Sequence, residues 1–148
     1  MKSFGFALSG ILRALREERH MRIHLCCAFY AVCCGVAAGL DAASWAAVIV
    51  CIGLVTALEL VNTALERLCD EVTRERRPGI GAAKDCAAGA VLCGAICAAA
   101  AGLLIFLSDG RFLKIIGFAK SHKPAAAVIV LVLPLWRYYI IKPGRSHK

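Results

Sequence analysis

The sequence predicts an all-α integral membrane protein: an N-terminal amphipathic surface helix, three transmembrane helices, and a C-terminal segment that spans or partly inserts. Three observations carry this reading. The 148 residues are 60% hydrophobic and only 19% charged, with a mean hydropathy of +0.72. A domain of this size buries only about 60–70% of its unfolded surface, so a chain this apolar needs lipid as the solvent for its exterior. Uncharged runs of spanning length recur along the chain, and the basic residues lie between them rather than on a continuous face. The excess of 18 Lys and Arg over 10 Asp and Glu, a net +8, therefore does not describe a nucleic-acid surface. Disorder, a collagen-like chain and a soluble multidomain enzyme are excluded.

The elements follow in chain order. Over residues 3–20, Phe4, Leu8, Ile11, Leu12 and Leu15 recur at helical spacing, with Arg13, Arg16 and Arg19 outside that stripe, which predicts a helix lying in the membrane interface. Residues 23–40 contain no charge before Asp41 and make the first span. A second uncharged run starts at Ala42, and its helical pattern continues through Glu59 to Cys69. The third span covers 84–107, with Gly89, Gly94, Gly102 and many alanines allowing close helix contacts. Residues 125–141 form a fourth apolar segment, but Pro134 and Arg137 interrupt it. Either a true span or a kinked, partly inserted helix fits. Arg13, Arg16, Arg19 and Arg22 before the first span, and Arg67, Arg74, Arg76, Arg77 and Lys84 after the second, place both regions on the cytoplasmic side.

Nine cysteines would describe a disulfide framework in a small secreted protein. Here eight of them fall in apolar segments, without histidines at zinc-binding spacing. They are expected to act as small apolar packing residues.

The polar residues of the second span carry the chemistry. At 100° per residue, Glu59, Asn62, Glu66 and Asp70 form one acidic stripe on the cytoplasmic half of that helix. A charge near hydrocarbon costs on the order of 2.5–3.5 kcal/mol on insertion scales, so Glu59 should face protein and serve a function. A plain ion pair with Arg22 or Lys84 is the bland alternative. Glu17 and Glu18, ahead of the first span, and Lys84 and Asp85, at the start of the third, converge on the same membrane face. Carboxylates for a divalent ion, a cation for phosphate and a base for an attacking hydroxyl are what phosphoryl transfer needs. Gly79 and Gly81 are too sparse for a phosphate loop, and no Walker A sequence is present.

These residues resemble the small prokaryotic integral-membrane lipid kinases, the family of bacterial diacylglycerol kinase and undecaprenol kinase. The resemblance runs from about Phe4 to Phe106 and rests on Glu-Leu-Val-Asn-Thr-Ala-Leu-Glu at 59–66, Ala-Lys-Asp at 83–85 and Ala-Gly-Ala-Val-Leu at 88–92. It makes residues 1–107 a membrane lipid kinase domain and residues 108–148 an extension. It implies a homotrimer of three-span subunits in the bacterial cell membrane, with a cytoplasmic-face site shared between neighbours. By that resemblance Glu59 is the catalytic base and Asn62 orders the site. Glu18 and Glu66 hold Mg2+ against ATP, and Lys84 and Asp85 contact the nucleotide. Phe6 stands where a ring contacts the nucleotide, Glu75, Arg76 and Arg77 fall on the segment that covers it, and Arg22 joins Glu59 at the lipid substrate. The Arg22-Ile23-His24-Leu25 run resembles the Gram-positive branch, associated with undecaprenol, while His20 replaces that branch's usual asparagine. His20 is read as an exposed interfacial residue in preference to a metal ligand.

The implied activity is ATP- and magnesium-dependent phosphorylation of a membrane lipid alcohol, undecaprenol or diacylglycerol. A small oligomeric transporter with a functional intramembrane glutamate is the rival reading, and a noncatalytic assembly factor the third. Location separates the first two, because a transporter glutamate belongs near mid-membrane, whereas Glu59 opens a stripe running outward to Asp70.

Overall fold

The computed structural model describes residues 2–73, 75 and 77–141. Six helices follow one another: α1 (Lys2–Glu17), α2 (Arg19–Ala38), α3 (Ala42–Val72), α4 (Pro78–Leu107), α5 (Arg111–Ser121) and α6 (Lys123–Ile141). The described residues contain no strand. By length and composition α2, α3 and α4 can each cross a bilayer, and the α5–α6 pair, bent by 99°, makes a fourth crossing if taken as one broken span.

The helix ends differ from the sequence expectation for local reasons. α1 stops at Glu17 because Glu18 is extended (φ −93°, ψ 124°), which breaks one continuous pattern into a surface helix and a span. α2 stops at Ala38, where Gly39 adopts the left-handed conformation (φ 63°). Its N–H and that of Leu40 return to the carbonyls of Val36 and Gly35 at 3.2 Å each, the glycine-based stop that satisfies helix-end carbonyls. α4 begins at Pro78, six residues before the expected start, since proline at the first helical position loses no hydrogen bond.

α3 and α4 form an antiparallel hairpin, the most extensive pairing in the protein. They approach closely at Gly94, where an added Cβ would lie 2.7 Å from Leu58 Cδ1. Gly35 similarly admits the Trp45 ring, 2.8 Å from where a Cβ would stand. A small core of Ala38, Leu40 and Val48 lies at the end opposite the acidic stripe, with Trp45, Ile105 and Ile115 packed on it.

Much of the apolar surface faces outward. Phe4, Leu8, Ile11 and Leu12 of the expected α1 stripe are exposed and free to meet lipid, and Ala14 is instead the buried position of that helix. Among the nine cysteines only Cys69 is buried, and Cys27, Cys86, Cys93 and Cys97 face outward. Of the eight expected as packing residues, Cys26, Cys33, Cys34 and Cys51 are half-buried.

Candidate functional site

α3 is 31 residues long, about 46 Å at 1.5 Å per residue, and so exceeds a hydrocarbon core of roughly 30 Å. Counting from Ala42, Glu59 stands about 26 Å along the helix, and Glu66 and Asp70 about 36 and 42 Å. The acidic stripe therefore begins at the edge of the hydrocarbon and runs out of it. Burial follows that gradient: Glu59 is 3% exposed and Asn62 7%, Glu66 is half-buried and Asp70 exposed.

The α1–α2 elbow delivers the second set of acids. Arg67 Nη2, one residue beyond Glu66, donates to Glu17 Oε2 at 2.8 Å and Glu18 Oε1 at 3.1 Å. This fork fixes the extended Glu18 against α3. Glu59, Asn62 and Glu66 are spaced along one helix, α3, and the Arg67 clamp brings Glu18 to that same helix. Asn62 Nδ2 donates to Glu66 Oε1 at 3.0 Å, and its buried Oδ1 has no partner among the described residues. Among the described residues, the ion pairs at this end join Arg67 to Glu17 and Glu18, Lys84 to Asp70 and Arg77 to Glu75, so Lys84 is engaged by Asp70.

A crevice of about 550 Å³ opens where α3 gives way to α4, lined among others by Asp70, Thr73, Glu75, Arg77, Gly81 and Lys84. It gathers three of the expected nucleotide contacts, Glu75, Arg77 and Lys84, at the N-terminal end of α4, whose unpaired N–H groups and dipole favour anions. Lys84 Nζ is engaged by Asp70 Oδ1, and Arg77 by Glu75 at 3.5 Å on the exposed rim. Asp85 is exposed just beyond the crevice, and Phe6 stands exposed on α1. Arg76 falls outside the described residues. Arg22 is 3% exposed, with its guanidinium 5.5 Å from the Tyr139 ring centroid. Sequence reasoning used Arg67 and Asp70 only for orientation and the stripe; that Arg67 clamps Glu17 and Glu18 has no local signal, because the partners are 50 and 49 residues apart.

Among the described residues no three His, Cys, Asp or Glu side chains are arranged as a preformed metal site. Magnesium does not require one, since it is commonly held by one or two carboxylates together with substrate phosphates. Glu66, hydrogen-bonded to Asn62, whose Oδ1 is buried and unpartnered among the described residues, and Glu18 are hard oxygen donors of the kind that mode uses.

A family model described as prokaryotic diacylglycerol kinase matches residues 5–106. The chain belongs to the prokaryotic diacylglycerol kinase family. Membership makes it a lipid kinase and gives the transporter reading no support. The chain is 41% identical over 106 residues to the undecaprenol kinase of Bacillus subtilis, covering 72% of this chain and 86% of that protein. It is 36% identical over 106 residues to the diacylglycerol kinase of Synechocystis, covering 71% of this chain and 61% of that one. No solved structure matches it significantly. The family match ends one residue before α4 does, which leaves α5 and α6 outside it.

Proposed function

We propose that the protein transfers the γ-phosphoryl group of ATP to the hydroxyl of a membrane lipid at the cytoplasmic face of a bacterial cell membrane, with undecaprenol as substrate ahead of diacylglycerol. The observation that carries this is Glu59, buried on the helix that also presents Asn62 hydrogen-bonded to Glu66, in a chain of this family. Undecaprenol takes precedence because the relative named for it matches at higher identity over more of its own length.

Glu59 takes the proton of the lipid hydroxyl as that oxygen attacks the γ-phosphorus and the bond to the β-bridging oxygen breaks. Asn62 orients Glu66 through its amide and keeps its carbonyl oxygen toward the site. Glu18 and Glu66 would hold magnesium, which when bound supplies charge neutralisation on the phosphates. Lys84, Arg77 and the N-terminus of α4 supply positive potential to the triphosphate in the crevice, and Lys84 exchanges Asp70 for phosphate when the nucleotide enters. Asp85, Glu75 and Phe6 contact the remainder of the nucleotide. An apolar groove of about 320 Å³ between α2, α3 and α4, lined by Val55, Thr56 and His24 among others, supports a hydrocarbon chain held below its reacting hydroxyl.

We further infer that residues 1–107 form the kinase domain and that three subunits assemble. α4 buries only Val91 and Gly94 within one protomer, and its long exposed face of alanine, glycine and leucine suits close packing against a neighbour. Purified protein incubated with ATP, magnesium and either undecaprenol or diacylglycerol tests the reading. Phosphorylated undecaprenol in excess is the expected product, diacylglycerol alone being phosphorylated reverses the substrate order, and neither being phosphorylated overturns the function.

A further inference from the structure

The C-terminal extension lies outside the family match, yet it reaches the candidate site. α6 runs antiparallel to α2: Tyr30 Oη donates to the Ile129 carbonyl at 3.2 Å, while Tyr139, ten residues later, lies over Arg22 at the start of α2. Trp136 anchors the contact, with ring centroids 6.1 Å from Phe29 and 5.9 Å from Tyr139. Tyr139 then makes two contacts on either side of the α1–α2 elbow. Its hydroxyl donates to the Leu15 carbonyl at 3.0 Å. Leu15 lies in the last turn of α1, where carbonyls lack an intrahelical N–H, so the hydroxyl caps a helix end. The ring face meanwhile receives the Arg22 guanidinium, a cation–π contact.

Between those contacts sits the extended Glu18, whose carboxylate Arg67 holds from the opposite side. The elbow is thus gripped from two directions, by a residue of the kinase region and by one of the extension. We propose that Tyr139 is a positioning residue for the kinase site: by bracing the last turn of α1 against the first turn of α2, it sets where Glu18 presents its carboxylate to the metal-bound nucleotide. This rests on the kinase reading above.

Two measurements on full-length protein in mixed micelles test it, using Tyr139→Phe, which keeps the ring and loses the hydroxyl, and Tyr139→Leu, which loses both contacts. The first is amide hydrogen exchange over residues 15–22, which reads the brace without activity. Faster exchange there in both variants, larger for Tyr139→Leu, with no change in α3, is expected; unchanged exchange overturns the brace. The second is the split between KM and kcat. Tyr139→Phe should raise the KM for magnesium-ATP roughly threefold and Tyr139→Leu roughly tenfold, with the lipid KM unchanged and the loss largely absent in a Glu18→Gln background. Losses that add fully to Glu18→Gln, or that fall equally on the lipid KM, overturn the positioning role. Wild-type protein that phosphorylates neither lipid overturns the kinase reading and the catalytic half of this proposal together, while the exchange result still decides the brace.

Discussion

The two ends of the helical bundle both carry polar clusters, and they are built differently. At the end away from the acidic stripe, Asp41 caps α3, accepting from Ser44 N at 3.0 Å and Ser44 Oγ at 2.8 Å. Arg111 closes the arrangement, donating to Asp41 Oδ2 at 2.6 Å, Ser44 Oγ at 3.0 Å and the Ile105 carbonyl at 3.2 Å. Arg111 also pairs with Asp109 Oδ2 at 3.7 Å, and the result ties α3, α4 and α5 together. At the other end Arg67 holds Glu17 and Glu18, Asn62 donates to Glu66, Glu59 is buried on the same helix, and Asn62 Oδ1 is buried with no hydrogen-bond partner among the described residues. A carboxylate held by several donors stabilises a fold, whereas a carboxylate buried in a span costs stability unless a proton or a cation completes it. The difference agrees with the proposal that ligands bind at the second end and that the first is structural.

That contrast can be broken by substitution. The largest effect is expected from Glu59→Gln, which should lower turnover by about 10²–10⁴ in a lipid-phosphorylation assay, leave nucleotide binding in place and leave thermal stability unchanged or raised. Strong destabilisation would make Glu59 a structural residue. Glu66→Gln should weaken magnesium-dependent nucleotide binding by roughly 10–100-fold, read by titration with and without the metal. Equal loss in both titrations would detach Glu66 from the metal. Arg67→Met releases Glu17 and Glu18 but leaves the acids of α3 in place, so a rise of a few-fold in the KM for magnesium-ATP is expected, with little loss of stability from a partly exposed pair.

The opposite end should respond in reverse. Asp41→Ala is expected to lower the thermal midpoint by a few degrees through loss of the cap, with activity of the folded protein unchanged. Its pH dependence has a definite sign. The Ser44 backbone N–H, then the Ser44 hydroxyl, and after them the Arg111 charge hold the Asp41 carboxyl at about 2, below its ordinary 3.8. A carboxylate held lower in the folded state stabilises above its unfolded value, and that contribution fades as pH falls from about 4 through 2. Thermal midpoints of wild type and Asp41→Ala should therefore converge over that interval, and a constant gap would show that the carboxylate charge is not what caps α3.

Several features of this organisation were legible in local residues. The stripe of Glu59, Asn62, Glu66 and Asp70 needed only helical periodicity, and α3 displays it with burial decreasing outward. Helix ends were less legible: the pattern of residues 3–20 shows no sign that Glu18 leaves the helix, because the break is held by Arg67 from another element. The engagement of Lys84 by Asp70 was also invisible: from sequence, Lys84 is assigned to the nucleotide and Asp70 to the acidic stripe, and their pairing depends on the turn between α3 and α4.

Hydropathy and periodicity by themselves determined the membrane class, the uncharged runs and the carboxylates that crowd one membrane face, because burial in lipid and helical repeat act on neighbouring residues. The tertiary structure alone decided that Arg67 clamps the α1–α2 elbow, that Arg111 closes the Asp41 cap, and that α6 lies along α2 with Tyr139 on the Leu15 carbonyl. Those contacts join residues 50, 70 and 124 positions apart. Packing brings such partners together, and nothing in the local pattern of either one encodes the other.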